Sequence, residues 1–280
     1  MGEFDGWVGR QEEALDVASL SAADRLAAVL DHQTPPWRAG ETPPLGHWLY
    51  FLPSARQAQM DVDGHPKRGG FLPPILLPRR MWAGGRLTFP APLPAQGPLR
   101  RRSTIAQVAA KSGASGELVF VTVRHEVFAG ETACVVEEQD LVYREPTASA
   151  APTASPARVA AEPAPDASRS VTCDAVQLFR YSALTFNAHR IHYDRDYATR
   201  EEGYPGLVVH GPLIATLLMD LHLRDRPDAQ VVGFSFRAQR PTFDGRPFSL
   251  NLKRTETGAD LWAAGEDGAV AMSAKVEIAA

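Results

Sequence analysis

An α+β fold in two similar halves is the expectation, and three observations carry it. Residues 146–170 are almost entirely Ala, Pro, Ser and Thr, with Val159 the only larger apolar side chain, so this stretch cannot pack and divides the chain near its middle. Each flank carries successive β-branched segments separated by glycine turns, as an antiparallel sheet requires. After Gly211-Pro212 the residues Leu213, Ile214, Leu217, Leu218 and Leu221 share one helical face, which predicts a long buried helix laid across the second sheet. The expected division is a first domain over 1–145, a linker over 146–170 and a second domain over 171–280.

In the first half, residues 19–32 read as a helix, with Leu20, Leu26, Val29 and Leu30 at helical spacing and Ser21 with Asp24 resembling a capping box. A polar, proline-studded stretch follows. Strand-like segments then run over 86–89, 101–109, 118–127 and 133–144, with Gly130-Glu131 as a hairpin turn between the last two. In the second half, Pro212 suits the first turn of the helix, and strands are predicted over 231–240, 247–255, 261–264 and 269–278. Asp244-Gly245 and Glu266-Asp267-Gly268 supply turns between them.

Composition excludes several classes. A chain of 280 residues that is 44% hydrophobic, with 12 Phe and 5 Trp, can bury enough apolar surface to fold as a globular protein. The 29 basic and 33 acidic residues create no cationic field for a nucleic acid, though a local patch can still hold one phosphorylated ligand. Cys134 and Cys173 are too few for a disulfide framework and fit a reducing compartment. The first residues are acidic rather than basic and no run of ~18 apolar residues follows, so a cytoplasmic protein without a membrane span is expected.

The densest polar cluster runs over 181–194. His189, His192 and His210 stand close in sequence just ahead of the predicted buried helix, and histidine is the usual general base near neutral pH. His189 and His192 with Asp194 or His210 would make a zinc set, but neither a HExxH nor a CxxC accompanies them, so no metal is expected. Ser182 lacks the flanking glycines of a nucleophile elbow. Gly211, at a helix start, offers an unpaired N–H and no side chain, the equipment for holding an oxyanion. A base and an oxyanion donor facing one site are what water addition to a conjugated thioester needs.

The run Thr185-Phe186-Asn187-Ala188-His189-Arg190-Ile191-His192, followed by Val209-His210-Gly211, resembles the two signatures of MaoC-like hydratases and dehydratases of hotdog fold. Segments of the first half, including Gly64-His65-Pro66 and Arg79-Arg80-Met81-Trp82, are similar to the degenerate N-terminal hotdog of the two-domain members, in particular the subgroup acting on mesaconyl-C4-CoA (3-methylfumaryl-CoA). The resemblance implies a double hotdog, two antiparallel sheets each wrapped on a central helix, with the chemistry in the second half. It also implies a hydro-lyase with no cofactor beyond the coenzyme A of its acyl-CoA substrate. By the same resemblance His192 is the base, Gly211 the oxyanion donor, His189 stands at the motif's Asn and Asn187 at its Asp. Asparagine accepts no proton, so Asn187 is expected to orient water while His192, alone or with His189, moves the proton.

Arg237 and Arg240 resemble the segment near the pantetheine channel and are the candidates for coenzyme A. Lys67-Arg68 and Arg79-Arg80 are further candidates for the phosphates or a free carboxylate. Trp48, Phe51, Phe71 and Trp82 are candidates for an acyl pocket. The alternatives are a 3-hydroxyacyl-thioester dehydratase, an itaconyl-CoA hydratase, a thioesterase and a non-catalytic acyl-CoA-binding protein. Neither nucleic acid nor membrane is an expected partner, and a monomer and a homodimer are both compatible with two hotdogs in one chain.

Overall fold

The computed structural model describes residues 4–113, 116–145 and 164–279. The first half forms β1 (Gln11–Ala18), α1 (Leu20–Val29), β2 (Arg79–Thr88), β3 (Gly97–Gly113), β4 (Gly116–Ala129) and β5 (Thr132–Arg144). The second forms β6 (Ala167–Thr172), α2 (Ala175–Thr185), α3 (Gly211–Asp225), β7 (Val231–Ala238), β8 (Pro247–Thr255), β9 (Gly258–Gly265) and β10 (Val270–Ile278). The strands make one ten-stranded antiparallel sheet in the order β1-β3-β4-β5-β2-β7-β10-β9-β8-β6. Read inward from either edge, the two halves have the same order, which is the repeated hotdog.

Two features differ from the expectation of separate sheets, each on its own helix. The sheets fuse through β2 and β7, from Gly84 opposite Arg237 to Thr88 opposite Gly233. Gly84 admits that pairing, because a Cβ there would lie 2.5 Å from the Phe236 carbonyl oxygen. Among the described residues only α3 fills the hollow of a sheet. It buries Leu213, Ile214, Leu217, Leu218 and Leu221 against β8, β9 and β10, at roughly 1.5–3 kcal/mol for each large apolar side chain. The corresponding stretch of the first half, between α1 and β2, holds only short 3-10 turns over Gly46–Leu49 and Gln57–Gln59, because its prolines and polar residues offer no apolar helical face.

Smaller corrections follow from local chemistry. The N-cap of α1 is Ser19, whose Oγ bonds Ser21 Oγ at 2.7 Å, so the Ser21–Asp24 box does not form. The edge strands β1 and β6, rich in exposed polar residues, carried no strand signal. The predicted linker ends sooner than residue 170, because residues 167–170 already pair with β8; its part over 146–163 lies outside the described residues. Among the described residues no helix is long and apolar enough to cross a membrane.

The halves are also tied by side chains. His32 Nε2 contacts buried Asp220 Oδ1 of α3 at 2.6 Å, and Arg224 donates to the Leu30 carbonyl at 2.9 Å. Arg79 pairs with Glu202 at 3.2 Å.

Candidate active site

The site grows from the loop between α2 and α3. Asp174 caps α2 by accepting from Gln177 N–H at 2.8 Å, and the helix stops where Phe186 turns left-handed at φ 48°. Asn187 N–H closes that end on the Ser182 carbonyl at 2.8 Å, and its side-chain Oδ1 accepts from His189 N–H at 3.0 Å. This turn leads into a 3-10 turn over Arg190–His192 that delivers the His192 ring to the interior, 7% exposed.

His192 Nδ1 lies 2.7 Å from the Val208 carbonyl oxygen. A carbonyl only accepts, so Nδ1 carries the hydrogen and Nε2 keeps a free lone pair. The ring stacks on His210 at 3.7 Å, and His210 Nε2 is held by Ser182 Oγ at 2.8 Å. The His189 ring stands edge-on to His192 at 5.4 Å. Burial drives the His192 imidazole down to about 4 and holds His210 far below the ordinary range, so both rings are neutral at physiological pH. Burial, with His65 and His192 close by, pushes His189 down to about 2.

Asn187, His189, His192 and Gly211 line one cleft of about 1480 Å³ that spans both halves. Gly211 opens α3, its N–H has no hydrogen-bond partner among the described residues, and a Cβ there would meet nothing within 4 Å. The helix start therefore presents an unpaired donor beside open space. Asn187 holds the turn by accepting from His189 N–H through Oδ1, and it keeps the second Oδ1 lone pair and both Nδ2 hydrogens for a water. Trp48, Phe51, Phe71 and Trp82 all line the cleft, and Trp48 packs edge-on against Trp82 at 5.0 Å. Arg240 also lines it, paired to Asp267 at 3.2 Å, whereas Arg237 is exposed and lies outside the lining.

The first half closes the cleft with residues that sequence reasoning did not assign to the site. Asp63 O accepts from Arg190 N–H at 2.9 Å, Val62 O accepts from the Arg190 guanidinium at 3.0 Å, and a Cβ on Gly64 would lie 1.8 Å from the Ala188 oxygen. This contact sets His65 against His189, with ring centroids 4.2 Å apart. Asp63, His65 and His189 bring ligand-type atoms within 4.8 Å of one another. Both Asp63 oxygens already accept from His65, Oδ1 from its backbone N–H at 2.8 Å and Oδ2 from Nδ1 at 2.9 Å, so hydrogen bonding accounts for the closeness.

The four first-half cations raised from sequence have separate fates. Arg68 is spent on the carbonyls of Ile75, Leu77 and Pro78, Arg79 on Glu202, and Lys67 on the Ala58 carbonyl. Arg80 lines the cleft without a hydrogen-bond or ion-pair partner among the described residues, near enough to His65 and His189 for its charge to lower both.

A double hotdog with a histidine and a helix-start N–H facing one cleft defines the MaoC-like class of hydratases and dehydratases. The family profile of hydroxyacyl-thioester dehydratase type 2 matches residues 43–244, and the chain belongs to that family. The mesaconyl-C4-CoA hydratase of Chloroflexus aurantiacus is 52% identical, the alignment covering 99% of this chain and 98% of the relative. Among solved structures, a MaoC-like dehydratase from Phytophthora capsici superposes with TM-score 0.71 at 12% identity over 97% of this chain and 95% of its own. A double-hotdog protein of Mycobacterium tuberculosis superposes with TM-score 0.58 at 12% identity over 97% and 96%. At such identities the two structures speak for the fold alone.

Proposed function

We propose that this chain adds water across the conjugated double bond of mesaconyl-C4-CoA to give citramalyl-CoA. The observation that supports it is the convergence of the free His192 Nε2 and the unpaired Gly211 N–H on one cleft. The Gly211 amide holds the thioester oxygen, where negative charge develops as water attacks, and His192 Nε2 activates that water by accepting a hydrogen bond from it. Because Nδ1 is anchored on Val208, the ring cannot turn away. No cofactor beyond the coenzyme A of the substrate is required.

The acyl group sharpens the assignment. In this substrate the free carboxylate sits on the carbon that receives the hydroxyl, so its binding cation must stand close to the water-holding histidines. Arg80 meets that requirement, with no protein partner to displace and a planar fork suited to a carboxylate. Arg240 lies where a coenzyme A phosphate can exchange for Asp267. Dehydration of 3-hydroxyacyl thioesters runs through the same groups in reverse, but an unpaired Arg80 favours an acyl chain that carries its own charge.

Incubation with mesaconyl-C4-CoA, itaconyl-CoA and crotonyl-CoA tests this reading. The expected result is loss of the conjugated thioester absorbance, fastest with mesaconyl-C4-CoA and without free thiol. Free thiol would mean hydrolysis, binding without conversion would mean a carrier, and preference for crotonyl-CoA would overturn the acyl assignment.

A further inference from the structure

We propose that His65, held by Asp63, is the group that takes the proton from the attacking water, filling from the first half the place left empty where the motif carboxylate is Asn187. The inference rests on the hydration reading above.

Hydration needs an acceptor when water attacks and a donor when the α-carbon is protonated. Asn187 can be neither, and its Oδ1 already accepts from His189 N–H. His192 can bind the water, but among the described residues its only hydrogen-bond partner is the Val208 carbonyl, so no carboxylate is bonded to it to stabilise an imidazolium. His65 has one. Asp63 Oδ2 accepts from His65 Nδ1 at 2.9 Å, which fixes the hydrogen on Nδ1 and leaves Nε2 as a lone pair. Both members of the dyad are half-buried, His65 lines the cleft, and its ring lies 4.2 Å from His189, which is 5.4 Å from His192.

The placement is built into the chain. Asp63 O and Val62 O hold Arg190 of the motif loop, and only glycine at 64 allows the two loops to approach so closely. Gly64 also has φ +90°, a second reason for a residue without a Cβ.

The step balances with water and substrate alone. Water donates one hydrogen to His192 Nε2 and the other to His65 Nε2. Its oxygen bonds to the β-carbon, the O–H toward His65 breaks, and the π electrons move onto the thioester oxygen at Gly211 N–H. His65 Nε2–H then gives its proton to the α-carbon as the carbonyl reforms. Asp63 is the positioning residue, and its charge stabilises the transient imidazolium.

The charged and titratable groups facing His65 set its sign. Burial and the charges of Arg80 and Arg68 lower it and Asp63 raises it, while His189 and His192 are near enough to feel its charge. Asp63 in turn faces Tyr197. Asp63→Asn keeps an oxygen for Nδ1 but removes the charge, so His65 protonates at lower pH and becomes a weaker base.

The experiment compares the wild-type chain with His65→Gln and Asp63→Asn, following kcat, KM and the pH profile with mesaconyl-C4-CoA. His65→Gln should lower kcat by ~100-fold with KM little changed, the usual size of a general-base loss. Asp63→Asn should lower kcat about tenfold and move the acid limb of the profile to lower pH, which a merely structural role would not do. Turnover of His65→Gln within threefold of wild type, or an acid limb unmoved in Asp63→Asn, would overturn the assignment. Asp63→Asn alone decides if His65→Gln does not fold. Failure of the wild type to hydrate any enoyl-CoA would sink the hydration reading instead, so the two failures remain distinct.

Discussion

The two halves share one strand order, yet only the second keeps a helix in the hollow of its sheet. There α3 seals the core and turns its start, Gly211, toward the cleft. In the first half no helix fills the equivalent space, and Val127 of β4 with Gln139, Leu141 and Tyr143 of β5 line the cleft instead. One copy of the fold therefore supplies a fixed helix terminus, and the other supplies most of the open space of the cleft. The long chain that replaces the missing helix is also free to carry Asp63 and His65 across to the motif loop. Two copies of one strand order, only one of them filled by a helix, leave a large cleft between the halves.

That contrast can be broken at several points. The largest effect is expected from His192→Ala, which should lower kcat/KM by ~100-fold or more, measured by loss of the conjugated thioester absorbance. A change within tenfold would mean that the second half does not hold the water. Next, Leu218→Ala removes a fully buried side chain of α3 itself and should cost ~2–5 kcal/mol in urea denaturation. Leu49→Ala, in the first-half 3-10 turn whose neighbours His47, Trp48 and Tyr50 line the cleft, should cost less, because the cleft lets its surroundings collapse. Equal losses would deny that the core is concentrated in the second half.

Acid stability gives a third test. Folded His192 protonates only near pH 4, against 6.5 for the free side chain, so the unfolded state holds more protons between those values. Stability should therefore fall as pH drops through that window, by on the order of 3 kcal/mol from this group, and His192→Gln should flatten the loss of the urea midpoint. Arg80→Met should raise KM for mesaconyl-C4-CoA by about 10–100-fold, as expected for losing a charge-assisted hydrogen bond, and leave crotonyl-CoA unaffected. An equal rise for both acyl groups would remove Arg80 from the carboxylate. The smallest effect belongs to Asn187→Asp, since a carboxylate oxygen can cap His189 N–H as the amide oxygen does. Thermal stability should shift by about 0.5 kcal/mol or less. A rise in activity would show that the motif carboxylate can resume the role assigned to His65.

Much of this was legible in order along the chain. Apolar spacing announced α3, β-branched alternation announced β4 and β5, and the short stretch from Asn187 to Gly211 announced the second-half site, because each depends on neighbours in sequence. The capping duty of Asn187 was half legible, since the residue type allows both turn and water binding and only the folded structure shows the His189 N–H contact. His65 had no such signal. Asp63-Gly64-His65 has no periodicity and matters only because Arg190 is folded against it. Of the four adjacent first-half cations, sequence could not say which stays free. Carbonyls and Glu202, brought by packing, claim Lys67, Arg68 and Arg79, while Arg80 keeps its fork open.

The sequence by itself thus determined most of the inner strands, the buried helix α3 and the closeness of His192 to Gly211 along the chain, because periodicity and local spacing are properties of the chain. The tertiary structure decided that the two sheets are one, that the first half is hollow, and that a carboxylate-backed histidine faces the motif loop. Those outcomes depend on sheet edges meeting and on burial and charge at a distance, and linear order records neither.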